Sequence, residues 1–152
     1  MNRDYCYSDD DLLNILVEFY EKTGKLPAKR DIPQFTPIYR RFGSWGNALF
    51  EAGLIPYPMD RNELVDYRRE LRRREYLEIL KGIYKEHREN PDWKGVAGQK
   101  GRLSQKEYME YYKKTNKNIP HVSNLYKAFK TYVIDDIWEI VEKELLKEGY
   151  FG

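Results

Sequence analysis

Apolar positions along the chain fall into a small set of helical patterns. Leu12, Leu13, Leu16, Phe19 and Tyr20 recur at three- and four-residue spacing, which predicts a helix whose apolar face runs through Tyr20. Ser8 followed by Asp11 supplies a start for it, and Gly24 supplies an end, because glycine tolerates the left-handed conformation that closes a helix. Ile38 and Phe42 lie four apart, as do Leu125 and Phe129, so each pair marks the core-facing side of a further helix. Thr36 is expected to cap the first of these helices, with Pro37 at its opening position, where a missing N–H costs nothing. Ser123 is expected to repeat that cap. Between the two, residues 60–89 hold no proline and one glycine, alternate charge signs densely, and carry Leu64, Tyr67 and Leu71, then Leu77, Leu80 and Ile83, at helical spacing. That segment reads as one long helix or two in sequence.

An internal repeat organises these patterns. Residues 32–45, Ile-Pro-Gln-Phe-Thr-Pro-Ile-Tyr-Arg-Arg-Phe-Gly-Ser-Trp, align without gaps on residues 119–132, Ile-Pro-His-Val-Ser-Asn-Leu-Tyr-Lys-Ala-Phe-Lys-Thr-Tyr. Upstream, residues 19–25 align on residues 111–117, with the intervening linker five residues shorter in the later copy. Asn116 takes the helix-ending place of Gly24. The expected fold class is all-α: two helix-turn-helix-like units joined by a long charged helix. The first unit is expected over residues 1–58, the helical connector and a basic loop over 59–102, and the diverged second unit over 103–152.

Charge sharpens the picture. The chain of 152 residues has a formal net charge of only +2. Residues 1–24 carry a net −4, residues 25–50 a net +4, residues 94–130 a net +7 and residues 131–152 a net −4. Two basic blocks alternate with acidic ones, and a helix or turn rich in Lys and Arg can neutralise phosphates and release counterions. On the face opposite Ile38 and Phe42 lie Thr36, Tyr39, Arg40 and Gly43, with Lys29 and Arg30 in the preceding turn. Thr, Tyr and Arg are residue types that contact phosphates and base edges. Arg41 is a weaker candidate, since its stem can lie along the edge of the core. The second copy offers Ser123, Asn124, Tyr126, Lys127 and Lys130. His121 stands where the first copy has Gln34, a hydrogen-bonding surface position able to meet a phosphate or a base.

The segment from Tyr7-Ser8-Asp9, through Thr23-Gly24-Lys25-Leu26-Pro27 and Arg30-Asp31, to Tyr39-Arg40-Arg41-Phe42-Gly43-Ser44-Trp45-Gly46-Asn47-Ala48-Leu49 and Glu51-Ala52-Gly53-Leu54 resembles the homing-endonuclease-associated repeat. That family consists of short helical DNA-binding modules found beside nuclease domains in mobile elements and phages. The resemblance covers residues 7–55, and Arg-Arg-Phe-Gly-Ser-Trp is its most specific part. It implies that the helix starting at Thr36 plays the recognition role. Residues 103–146 are reached only through the internal repeat, and their counterpart of Phe-Gly-Ser-Trp reads Phe129-Lys130-Thr131-Tyr132.

Catalysis finds no inventory. The only histidines are His87 and His121, and Cys6 is the only cysteine, so neither an HNH-type nuclease site nor a multi-cysteine zinc site is expected. Gly82-Ile83-Tyr84 echoes half of a GIY-YIG signature and Ala52-Gly53-Leu54-Ile55 the start of a LAGLIDADG helix, and both read as coincidences. Asp9-Asp10-Asp11 and Asp135-Asp136 read as acids of first helical turns, favoured by the helix dipole, before they read as a magnesium site. No enzyme activity, cofactor or metal is expected. Arg68, Arg69, Arg72, Arg73 and Arg74 offer a track for a DNA backbone, set against intrahelical pairing with Glu63, Asp66, Glu70 and Glu75. A second basic candidate is the glycine-bearing loop from Trp93 to Arg102, with Lys94, Lys100 and Arg102. The expected partner is double-stranded DNA, bound by a phage or mobile-element regulator in the cytoplasm. The rival is a phage protein-interaction module that binds and inhibits a host protein. Self-association through the long helix is the other partner to test, and no membrane segment is expected.

Overall fold

The computed structural model describes residues 7–93, 99–115 and 119–151. Among them the regular elements are α1 (Asp9–Thr23), a short 3-10 turn (Lys29–Asp31), α2 (Phe35–Phe42), α3 (Trp45–Glu51), α4 (Arg61–Arg88), α5 (Gln105–Thr115), α6 (Val122–Phe129) and α7 (Ile134–Lys147). The fold is all-α, and the charged connector is a single helix of 28 residues. The chain divides into two compact units, residues 1–68 and 69–152, with the division inside α4. Cys6, the Asn116 helix end, and Lys94 with residues 95–98 of the glycine-bearing loop lie outside the described residues.

In the first unit, α1 begins with a reciprocal capping box. Ser8 Oγ accepts the Asp11 N–H at 3.0 Å while the Asp11 carboxylate accepts the Ser8 N–H at 3.1 Å. Gly24 closes the helix at φ +71°. Leu12 and Leu16 are fully buried, Leu13 and Phe19 are half-buried, and Tyr20 faces solvent, so the apolar stripe is narrower than the sequence pattern suggests. The turn from α2 to α3 uses three adjacent residues. Gly43 closes α2 at φ +84°, Ser44 Oγ caps α3 by accepting the Asn47 N–H at 3.0 Å, and the Trp45 ring enters the core. Its indole N–H donates to Pro27 O at 3.1 Å.

Leu26 and Pro27 form a buried stretch of non-helical backbone, and buried carbonyls must find donors. Arg68 supplies them: its guanidinium donates to Leu26 O at 2.8 Å and to Pro27 O at 2.7 Å. The first residue of the arginine run in α4 is therefore a structural donor.

The second unit is built around α7, whose Ile137, Trp138, Val141 and Leu145 are fully buried with Leu80 of α4, Tyr108 of α5 and Leu125 of α6. Several details repeat those of the first unit in register. Ser104 and Glu107 form a capping box on α5, as Ser8 and Asp11 do on α1. Thr115 Oγ donates to Tyr111 O at 2.8 Å, and Thr23 Oγ donates to Phe19 O at 2.8 Å, at positions that the sequence repeat aligns. α2 and α6 are both eight residues long, and each ends on a left-handed residue: Gly43 in one, Lys130 at φ +54° in the other.

Two expected caps each move by two residues. α2 starts at Phe35 with Gln34 as its N-cap, and α6 starts at Val122 with His121 as its N-cap, so neither Thr36 nor Ser123 caps a helix. The cause is common to both copies. Phe35 packs at 5.6 Å against the Trp45 ring, and Val122 is buried, so drawing these apolar residues into the first helical turn outweighs a hydroxyl cap. Pro37 becomes the third helical residue, still within the turn whose N–H groups have no intrahelical acceptor.

Candidate nucleic-acid interface

The face of α2 turned away from the core is set by its period. Ile38 is fully buried and Phe42 and Phe35 pack on the core, which leaves Thr36, Tyr39, Arg40 and Gly43 exposed on one side. Tyr39 is 45% exposed. Its ring lies 5.7 Å from that of Phe35, and the Lys29 ammonium stands 5.3 Å from the Phe35 centroid and 5.8 Å from that of Tyr39. This cation-π placement fixes a positive charge at the N-terminal end of the exposed face, on a turn whose other basic member, Arg30, is also exposed. Asp31 accepts the Ala28 N–H at 2.9 Å and holds that turn. Lys29, Arg30, Thr36, Tyr39 and Arg40 are therefore brought together on one side of the first unit. Phe35 joins them through its ring, a member the sequence signals only by its aromatic neighbour at i+4.

Arg41 is different. It points to the core edge, half-buried, and pairs with Asp9 at 2.7 Å, tying α2 to the first turn of α1. Its stem lies along the core edge, as the weaker reading of it as a contact residue anticipated, and the ion pair fixes it there. Asp9 and Asp11 are thereby committed to the fold, the one to Arg41 and the other to the Ser8 cap.

In the second unit Ser123, Asn124, Lys127 and Lys130 are exposed along α6, and Ser123, Lys127 and Lys130 hold the register of Thr36, Arg40 and Gly43. Tyr126 departs from its counterpart Tyr39. It is half-buried and its hydroxyl donates to Gln105 at 2.7 Å, and burial raises its pKa. His121 accepts the Ser123 N–H through Nδ1 at 3.1 Å, with its ring edge-on to Tyr112 at 5.5 Å, so it is a helix cap in the first place.

Several of the other basic candidates are engaged within the fold. Arg102 pairs with Glu142 at two of its nitrogens, one of them at 3.0 Å, and Glu142 also accepts the Tyr84 hydroxyl at 2.9 Å. Those partners, Arg102 first, hold the Glu142 carboxyl below the usual carboxylate range. Lys81 is buried between Glu148 and Glu78, which hold its ammonium charged. Arg73 lies 5.2 Å from the Phe129 ring and Arg74 pairs with Glu70 at 3.3 Å. His87 bonds to Ile83 O and stacks edge-on against Tyr111 at 4.9 Å. Asp136 accepts the Thr131 hydroxyl at 2.9 Å. Among the described residues no group of three His, Cys, Asp or Glu side chains is placed to hold a metal ion, and no helix is long and apolar enough to cross a membrane.

An all-helical protein that presents a short helix with one buried and one polar, basic face is the class these elements define. More particularly, residues 7–55 match the family model of the homing endonuclease associated repeat, a match that takes in α1, α2 and α3 complete. No match is found among the curated proteins or the solved structures. The most specific residues of the repeat now have physical roles: Gly43 ends α2, Ser44 caps α3, and Trp45 closes the core and bonds to the loop after α1.

Proposed function

We propose that this protein is a non-catalytic binder of double-stranded DNA, of a kind encoded by phages or other mobile elements. It lays the exposed face of α2 in the major groove in helix-turn-helix fashion. Arg40, Tyr39 and Thr36 meet base edges and phosphates, while Lys29 and Arg30 neutralise the adjoining backbone. Lys127 and Lys130 of α6, with Ser123 and Asn124, add a second contact of the same type. The observation that carries the reading is the register shared by the exposed faces of α2 and α6 on helices of equal length with corresponding ends. The family match of residues 7–55 supports it independently. Asp9 and Asp11 are engaged within the fold, which weakens the acidic first helix as a docking surface for a host protein.

A salt series tests the proposal. If five basic side chains each neutralise one phosphate, the logarithm of affinity falls against the logarithm of salt with a slope of about −4.5, a loss of about 500-fold between 50 and 200 mM. Fluorescence anisotropy on labelled duplexes reads this directly. Absence of binding at 50 mM salt sinks the proposal.

A further inference from the structure

The two units treat one aligned position in opposite ways. Trp45, the first residue of α3, is 4% exposed and closes the core, whereas Tyr132, which the sequence repeat aligns with it but which stands two residues ahead of α7 on a longer turn, is 91% exposed. Val133 beside it is 54% exposed. The turn that carries them is not slack. Lys130 holds the left-handed conformation without being glycine, Thr131 N–H donates to Tyr126 O at 3.2 Å, and Thr131 Oγ accepts the Val133 N–H at 3.1 Å while donating to Asp136 at 2.9 Å. Backbone strain, an aromatic ring in water and an exposed β-branched neighbour thus coincide at one fixed turn. The first unit avoids all three with Gly43, Ser44 and Trp45. Local choices that work against stability concentrate where they serve binding.

We infer that Tyr132, backed by Val133, is a nucleobase-contacting wedge that stacks on a base exposed at a flexible step or an unpaired position, next to the phosphates met by Lys127 and Lys130. The inference rests on the DNA-binding reading and deepens it. Charge complementarity selects the occupant: Lys127 and Lys130 lie on the exposed side of the helix that leads into the turn, one and two turns from its start. Asp136 keeps its charge while accepting the Thr131 hydroxyl at the start of α7, and Asp135 lies in the field of Arg102, so the cationic side of the turn is the α6 side, where Lys127 and Lys130 stand. An aromatic face next to cationic side chains is the arrangement that holds a base by its π surface and its strand by its phosphates.

The test compares wild type, Tyr132→Ala and Tyr132→Phe on three DNAs of one sequence: a matched duplex, a duplex with a single unpaired base, and the single strand. The matched and bulged duplexes distinguish insertion at a paired step from capture of a base already unpaired. Tyr132→Ala should weaken binding by about tenfold or more on at least one of these probes while leaving the salt slope unchanged, since no phosphate-binding side chain is removed. Tyr132→Phe should retain the affinity, because the ring is kept. The side chain is exposed, so the helical circular dichroism of Tyr132→Ala should equal that of wild type. Equal binding of wild type and Tyr132→Ala to all three probes overturns the inference and leaves the DNA-binding reading standing. No binding of wild type to any probe overturns both. As a second readout, a photo-crosslinking p-benzoyl-phenylalanine in place of Tyr132 should attach to DNA. Attachment only to another protein chain assigns the turn to a protein contact and overturns the inference.

Discussion

Gly46 and Gly82 both sit inside helices, yet they answer to different constraints. A Cβ on Gly46 would stand 1.7 Å from Met59 O, a backbone atom that cannot yield without moving the chain after α3, whereas a Cβ on Gly82 would meet nothing within 4 Å. Gly46→Ala should therefore cost about 3 kcal/mol or more through overpacking. Gly82→Ala should stabilise by about 0.5–1 kcal/mol, because alanine is the better helix former. Urea titration of the two variants, with unchanged slope and opposite shifts of the midpoint, is the check. At this scale the sequence was readable where a residue's role is local and misleading where it depends on distant packing. Ser8, Gly24 and the inward direction of Ile38 follow from neighbours a turn away. Thr36 and Ser123 do not cap their helices because Phe35 and Val122, one residue earlier, belong to the core. Arg68 reads in the sequence as one of five similar arginines, and only the folded chain shows two buried carbonyls waiting for it.

At the scale of elements, α4 and α7 of the second unit share an ionic and phenolic network whose response to pH has a definite sign. The Glu142 carboxyl is held below its ordinary range by Arg102 and then by the Tyr84 hydroxyl. A depressed carboxyl contributes stability that is present above its unfolded pKa, near about 4.3, and lost as pH falls through the folded value. Tyr84 is pushed up to about 12 by burial and then by its bond to Glu142. Its neutral phenol contributes stability that is complete below about pH 10 and lost as pH rises toward the folded value. Urea midpoints measured across pH should show a plateau bounded by an acid and an alkaline decline. Glu142→Gln should lower the plateau, by leaving Arg102 without its counter-charge, and flatten the acid limb. Tyr84→Phe should flatten part of the alkaline limb. An alkaline limb identical to wild type in Tyr84→Phe would contradict the assignment and leave the decline to the other phenols that burial raises, Tyr108, Tyr111, Tyr126 and Tyr150. None of this network was legible in the sequence, since Tyr84, Arg102 and Glu142 are brought together only by tertiary packing. The long helix itself was legible, because thirty residues without a proline leave the periodicity unbroken.

For the molecule as a whole, the open matter is how much of the proposed binding each unit supplies, and salt dependence separates the two contributions without dividing the chain. Replacing one phosphate-binding side chain by alanine lowers the slope of log affinity against log salt by about 0.9, whichever unit carries it, whereas removing a group that meets only a base lowers affinity and leaves the slope alone. Arg40→Ala tests the first unit, and Lys127→Ala with Lys130→Ala tests the second. All three side chains are exposed, so helical content should survive each change. If both units hold one DNA molecule, the double variant should lower the slope by about 1.8 on a long duplex. Shortening the duplex until a single unit can engage it should then abolish the difference between the double variant and wild type, because linked binding is lost when one member has no site. If only the first unit binds, the double variant should match wild type at every length and salt concentration, and Arg40→Ala alone should move the curve. The repeat would then have kept the eight-residue length of α2 and α6 and the serine capping boxes of α1 and α5 in both copies while confining recognition to one. Unequal residues point to unequal duties: Arg40 beside Tyr39 in the first unit suits discrimination between bases, and Lys127 with Lys130 in the second suits point-charge attraction to phosphates. Arg40→Ala should accordingly flatten the preference among duplex sequences, and the lysine double variant should weaken all sequences alike, a pair of outcomes that competition with unlabelled duplexes of varied sequence distinguishes.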